Sequence, residues 1–122
     1  TSINPHPLLG TQMLDITVTP ESYKEEIAAA RTIGFTWELD EIRKLGLGKG
    51  CNLQNALVYS ETKCLSESRW PDELVRHKIL DIMGDLSLVG PFRGHIIAVL
   101  SSHKLNGRLA SKLLDFRKRE EI

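Results

Sequence analysis

The longest helical pattern in this sequence is DELVRHKILDIMGDLSLV, which covers residues 72–89. Apolar residues recur along it at the spacing of one helical face. Leu80 and Leu88 make a second side apolar, so we predict a helix that is largely buried. Gly90 and Pro91 follow directly and predict its end. The predicted core face consists of Val75, Ile79, Ile82, Met83 and Leu86.

One polar row runs along the same helix. His77, Asp81 and Asp85 fall at positions i, i+4 and i+8, which places them on one side. A neutral imidazole and a carboxylate one turn apart can bind the same Zn²⁺ ion. The spacing also fits a structural polar row or a surface pair, and these alternatives stay open. Gly84 costs about 1 kcal/mol relative to alanine inside a helix, which predicts a closely packed backbone beside it.

Outward from this helix, strand and helix patterns alternate. Together they predict an α+β fold, a two-layer sandwich of a sheet with helices packed on one face, as a single domain over residues 1–122. Thr19, Pro20 and Glu21 form a helix start with a hydroxyl cap. The predicted strands are 12–19, 32–35, 55–60, 63–65 and 93–101, and the remaining predicted helices are 20–31, 38–45 and 105–116.

Composition excludes several classes of partner. The 16 basic residues balance the 16 acidic ones, so a nucleic-acid-binding surface and a polybasic membrane anchor are not expected. The longest apolar runs are too short for a transmembrane segment. Cys51 and Cys64 are the only cysteines, which favours two reduced thiols in a reducing compartment over a disulfide framework.

A further histidine stands where a predicted strand meets a helix. His103 follows Ser101 and Ser102 and opens the final helix. The positive end of the helix dipole there disfavours a charged imidazole, whereas a nearby carboxylate favours it. A solvent-facing histidine and a functional one both fit this position.

Five segments in order carry a resemblance that extends from about His6 to Asn106. The segments are Arg31-Thr32-Ile33-Gly34-Phe35, Gly46-Leu47-Gly48-Lys49-Gly50, Arg76-His77-Lys78-x-x-Asp81, Gly84-Asp85-Leu86 and Ser102-His103-x-Leu105-Asn106. They resemble the carboxy-terminal domain of the zinc-dependent UDP-3-O-acyl-N-acetylglucosamine deacetylase family, which acts in lipid A biosynthesis. The resemblance implies a small β-α-β insert at about residues 32–60, a Zn²⁺ cofactor, and a cytoplasmic location, or an organelle in a eukaryote.

The resemblance also implies catalytic roles. His77 and Asp81 match two of the family's three protein zinc ligands. His103 matches a protonated histidine that stabilises the oxyanion or protonates the leaving amine. Asp85 matches the carboxylate that orients this histidine, and Thr32 matches a hydroxyl donor to the oxyanion.

Substrate contacts follow in the same way, with three departures. Lys78 matches a cation near the sugar. Ile33 stands where the family usually has phenylalanine, and Ser102 stands where it usually has glycine. Cys51 replaces a smaller residue in the passage for the acyl chain, which the resemblance assigns to Phe35, Leu39, Gly50 and Cys51.

The family's third zinc ligand and its glutamate base have no match in this chain. We therefore predict that the chain is inactive alone and needs the amino-terminal half of the enzyme, covalently or as a separate chain, to act on the UDP-acyl-sugar. An exposed apolar face is expected where that half packs. The alternative is a non-catalytic domain of the same fold that binds an acyl chain, a UDP-sugar or a partner.

Overall fold

A computed structural model describes residues 1–120 of the 122-residue chain. The α+β class is confirmed, because helices and strands are both present. The elements are strands β1 (Ser2–Asn4), β2 (Gly10–Gln12), β3 (Thr32–Phe35) and β4 (Ala56–Tyr59), and helices α1 (Pro20–Ser22), α2 (Thr36–Lys44), α3 (Glu73–Leu86) and α4 (His103–Glu120).

Two of the helices continue in a different helical form. A π-helical turn, Tyr23–Ile27, extends α1, and a 3₁₀ turn, Ser87–Val89, extends α3. The Thr19 hydroxyl accepts a hydrogen bond from the Ser22 backbone N–H, so the predicted cap of α1 is confirmed. No helix formed by residues 1–120 combines the length and the hydrophobicity that a transmembrane span requires.

The strands of the described residues form two separate pairs. β1 and β2 are antiparallel, with Ser2 opposite Gln12. β3 and β4 are parallel, with Thr32 opposite Ala56, and α2 lies in the connection between them. These three elements form a β-α-β unit, because parallel neighbours need a crossover connection. Its role as an insert in a larger domain stays a prediction.

Residues 1–120 do not form the single larger sheet that was predicted, since two predicted strands do not form. Residues 13–19 and 93–101 lie outside every strand. An alternating or apolar pattern predicts which face of a strand is buried. It does not predict the neighbouring strand whose hydrogen bonds the strand needs. Here Met13 is 76% exposed and Ile97 is 82% exposed, and both segments are mostly exposed. Residues 63–65 contribute only an isolated bridge between Cys64 and Tyr59.

Helix α3 joins two hydrophobic clusters. Leu74 in its first turn packs with Leu9, Leu57 and Tyr59. Its last turns pack against the 3₁₀ turn and α4 through Ile82, Leu86, Val89 and Ala110. The prediction for Gly84 was wrong: the residue is exposed, and a Cβ atom added there would meet nothing within 4 Å. The opposite face of the helix makes the contacts.

A buried ion pair fixes the start of α3. Glu73 is 1% exposed and Arg31 is 9% exposed, and the Arg31 Nε atom lies 2.9 Å from Glu73 Oε2. The Arg31 backbone N–H donates to the same oxygen at 2.9 Å, and the Arg69 N–H donates to Glu73 Oε1 at 2.7 Å. Burial raises the pKa of Glu73, but the hydrogen bonds from Arg31 and Arg69 outweigh it and the net pKa is lowered.

Replacing this carboxylate tests its structural role. We expect Glu73→Gln to lower the free energy of unfolding by about 3–5 kcal/mol, because Arg31 keeps a buried charge without a counterion. Urea denaturation measures the loss. Glu26→Gln is the matched control, since Glu26 is 45% exposed and lies 3.9 Å from Arg76, and it should cost less than about 1 kcal/mol. Equal losses for the two variants would contradict the anchoring role.

Candidate active site

A cleft of about 460 Å³ opens between β1, β3, α3 and the start of α4. Its walls come from segments about 100 residues apart in sequence, so only the folded chain forms it. Seven of the predicted site residues line it: Thr32, Ile33, Phe35, His77, Lys78, Asp81 and His103.

The His77 ring is held by a backbone carbonyl. Its Nδ1 atom lies 3.0 Å from the Ala30 carbonyl oxygen. Because a carbonyl oxygen only accepts, Nδ1 carries the proton, and Nε2 of the neutral ring keeps its lone pair. Metal-binding histidines are usually oriented by this kind of second contact.

That lone pair faces a carboxylate. His77 Nε2 lies 3.3 Å from Asp81 Oδ1. Two electron-rich atoms at this distance repel each other unless a positive charge joins them, either a proton on the ring or a cation bound by both. Imidazole nitrogen and carboxylate oxygen are both good zinc donors, so the pair fits a zinc ion as part of a ligand set.

The pair supplies fewer donors than a complete zinc site. Within residues 1–120, no group of three or more His, Cys, Asp or Glu side chains is placed to hold a metal ion. Catalytic zinc usually has three protein ligands and one open position. The remaining Asp81 oxygen, Oδ2, lies 3.9 Å from Nε2 of His103, so Asp81 stands between the two histidines.

A second histidine–carboxylate pair lies beside the first. His103 Nδ1 lies 2.7 Å from Asp85 Oδ2, and the Asn106 side-chain Nδ2 donates to the same oxygen at 3.0 Å. The hydrogen bonds from Asn106 and His103 lower the pKa of Asp85. The hydrogen bond to Asp85, together with the charges of Asp85 and Asp81, raises the pKa of His103 above its ordinary 6.5. These contributions outweigh the opposing effects of burial and of the Lys78 charge.

Two backbone contacts shape the entrance to α4. The Ser102 hydroxyl accepts the Leu105 backbone N–H at 3.1 Å, as a helix N-cap does. The residue that departs from the family's usual glycine is thus a cap, and glycine is also tolerated in that position. Lys78 Nζ donates to the Ser101 carbonyl at 3.3 Å, which ties α3 to the segment before α4. Leu100, another residue of the cleft, adopts a left-handed backbone with φ of 53°.

The four predicted residues of the acyl passage do not all line the same cavity. Leu39 and Cys51 line a second cavity of about 320 Å³, next to α2. Phe35 lines the main cleft instead and stacks on Trp37 with ring centroids 4.7 Å apart. Gly50 lines neither cavity. The segment from Glu41 to Gly50 is exposed throughout, so few contacts fix its position.

Comparison with known proteins identifies the family. A family model described as UDP-3-O-acyl N-acetylglycosamine deacetylase matches residues 1–115. The chain belongs to the UDP-3-O-acyl N-acetylglycosamine deacetylase family. Relatives named UDP-3-O-acyl-N-acetylglucosamine deacetylase include one from Helicobacter hepaticus, 42% identical over 96% of this chain and 40% of the relative. Another from Nitratidesulfovibrio vulgaris is 48% identical over 84% of this chain and 34% of the relative.

A Chlamydia abortus relative of the same name is 48% identical over 89% of this chain and 40% of its own length. The chain thus spans less than half the length of these deacetylase-family relatives.

Sequence reasoning assigned no role to one residue of the site. Asn106 is buried, lines the cleft and contacts Asp85. It falls three residues after His103, so the i+3 spacing on one helix was the available signal. The spacing within α4 could not predict where α3, which carries Asp85, packs against it.

The His103–Asp85 pair should produce a measurable pKa shift. In the metal-free chain, imidazole NMR should report a pKa of His103 above 6.5 that falls in Asp85→Asn. Asp115→Asn, which removes an exposed carboxylate further along α4, is the charge-matched control and should leave it unchanged.

The sign of the linked stability follows from the two shifts. Because the folded-state pKa of His103 is raised, its contribution is complete below about pH 6.5 and is lost as pH rises through that pKa. Because the pKa of Asp85 is lowered, its contribution is complete above about pH 4 and is lost as pH falls through its folded-state pKa. The stability advantage over Asp85→Asn should therefore be largest between these limits. An advantage that grows above pH 7 would contradict the assignment.

Proposed function

We propose that this chain is the carboxy-terminal half of a zinc-dependent deacetylase that hydrolyses the 2-N-acyl amide of a UDP-3-O-acyl-N-acetylglucosamine, a step of lipid A biosynthesis. The observation that carries the proposal is one cleft in which a zinc-compatible donor pair, His77 and Asp81, stands beside His103. Asp85 binds this histidine through its Nδ1 atom at 2.7 Å. Family membership and the names of the relatives support it.

The donor pair would hold zinc together with a ligand from the rest of the protein. When bound, the ion would act as a Lewis acid toward water and the amide carbonyl. The chain's own part in metal binding is orientation, because the Ala30 carbonyl fixes the His77 ring and keeps Nε2 available. Asp81 completes the part of the ligand set that this chain provides.

His103 would act as the proton donor in the reaction. Its charged form is favoured by Asp85, and in that form the ring can donate from Nε2 to the leaving amine or to the developing oxyanion. The hydroxyl of Thr32 lines the same cleft and would donate a hydrogen bond to the oxyanion. Lys78, whose ammonium group is held near Ser101, would contact the sugar.

Different parts of the substrate would lie in the cleft and in the second cavity. Ile33 and Phe35 present apolar surface inside the main cleft. The second cavity, with Leu39 and Cys51, would take the acyl chain. Gly50 keeps its proposed place in the acyl passage only if the exposed segment after α2 closes over that cavity.

Exposed apolar side chains support the proposal of a missing partner segment. Leu88, Ile97, Val99 and Phe116 are each more than 60% exposed. Apolar side chains exposed together in one patch mark a surface that another part of a protein covers. We propose that the amino-terminal half covers them and supplies the third zinc ligand and the general base. A cytoplasmic location is proposed on the resemblance alone.

Zinc affinity tests whether the zinc site is divided between this chain and the amino-terminal half. In a zinc-competition titration at neutral pH, this chain should bind weakly, with an affinity close to that of His77→Ala, because two protein donors hold zinc loosely. His95→Ala, at an exposed position outside the cleft, is the matched control. Tight 1:1 binding that His77→Ala abolishes would mean that a complete site forms within this chain.

Activity tests the reaction itself. We would replace the corresponding part of the Helicobacter hepaticus relative with this chain. The assay would measure release of the 2-N-acyl group from UDP-3-O-acyl-N-acetylglucosamine. The chimera should turn over, the chain alone should not, and His103→Ala should lower kcat in the chimera by about 10²–10⁴-fold. A chimera that binds the substrate without turnover would instead support the non-catalytic binding domain, and turnover by the chain alone would contradict the divided site.

A further inference from the structure

We propose that Asn106 is a positioning residue whose side-chain amide holds the Asp85 carboxylate in the orientation that accepts the Nδ1 proton of His103. The inference deepens the proposed function and rests on it, because the proton-handling role of His103 is part of that proposal. Asn106 itself touches no reacting atom in this scheme and acts only through Asp85.

The chemistry of Asp85, His103 and Asn106 determines which atoms of this trio carry the hydrogens. Asp85 Oδ2 lies 2.7 Å from His103 Nδ1 and 3.0 Å from Asn106 Nδ2. An ionised carboxylate only accepts hydrogen bonds, so both nitrogen atoms must donate. The amide of Asn106 therefore presents its NH₂ group to Asp85, and the neutral form of His103 carries its proton on Nδ1.

Burial makes Asn106 the fixed member of the trio. Asn106 is 6% exposed, whereas the side chains of Asp85 and His103 are 30% and 72% exposed. An exposed ion pair gains little from its attraction and is free to rearrange, because both side chains keep their rotational freedom. Asn106 is also tied to the start of α4, since its backbone N–H donates to the Ser102 carbonyl at 2.9 Å.

The consequence is a choice between the two ring nitrogens. With Nδ1 bound to Asp85, Nε2 is the nitrogen on the side of Asp81, from whose Oδ2 it lies 3.9 Å. If the carboxylate of Asp85 rotated away, the neutral ring would be free to carry its proton on Nε2 instead. Asn106 thus favours one tautomer of His103 through a neighbour, and a merely structural buried amide would not.

The experiment measures that tautomer directly and needs no activity. In the ¹⁵N-labelled, metal-free chain at a pH where His103 is neutral, two-bond ¹H–¹⁵N correlations report which nitrogen is protonated. We expect mainly the Nδ1–H form in the wild type. In Asn106→Leu, the ratio of Nδ1–H to Nε2–H should fall about two- to tenfold, the change that loss of one net hydrogen bond produces.

Two further variants keep the test decisive. Asn106→Ala removes the same amide with the best helix-forming residue, so it carries the test if Asn106→Leu fails to fold. Gly107→Ala is the matched control on α4, because a Cβ atom there meets nothing within 4 Å, and it should leave the tautomer unchanged. An unchanged tautomer ratio in a folded Asn106 variant would overturn the positioning role.

The chimera separates this inference from the proposed function. A tautomer shift in the chain together with an inactive wild-type chimera would uphold Asn106 as a positioning residue and refute the deacetylase proposal. An active chimera together with an unshifted tautomer would refute only the role of Asn106.

Discussion

The buried carboxylate of Glu73 is the constraint on which the position of the candidate site depends. It stands at the first residue of α3 and accepts hydrogen bonds from Arg31 and from the Arg69 backbone. Burying a charge is costly, and a buried pair often adds little net stability compared with apolar residues. The pair instead fixes the docking position of α3, because Glu73 keeps its hydrogen bonds only where its carboxylate oxygens meet their donors.

The three residues that lead into β3 connect this anchor to the site. Ala30 orients the His77 ring through its carbonyl oxygen, Arg31 holds Glu73, and Thr32 lines the cleft. A shift of this short segment would therefore move the imidazole, the helix that carries it and one wall of the cleft together. The zinc-compatible pair is thus built into the same contacts that fix the fold, and the chain presents a preformed part of a site.

Local patterns predicted the helices and the paired strands β3 and β4, but failed for segments that have no strand neighbour. The helix over residues 72–89 was predicted from its apolar spacing and is observed as α3 with its 3₁₀ extension. The strands at 12–19 and 93–101 were wrong, although their residues have suitable propensities. A helix satisfies its backbone hydrogen bonds internally, whereas a strand does so only against another strand.

The sequence by itself determined the polar row of His77, Asp81 and Asp85, since side chains four residues apart share a helix face. It also determined, through ordered motifs, the family to which the chain belongs. Only the tertiary structure decided that Asp85 meets His103 and Asn106 and that Ala30 orients His77. It also decided that Phe35 lines the main cleft while Leu39 and Cys51 line the second cavity. The physical reason is that these contacts depend on how α3 docks against α4 and β3, and docking is set by burial and charge pairing between segments far apart in sequence.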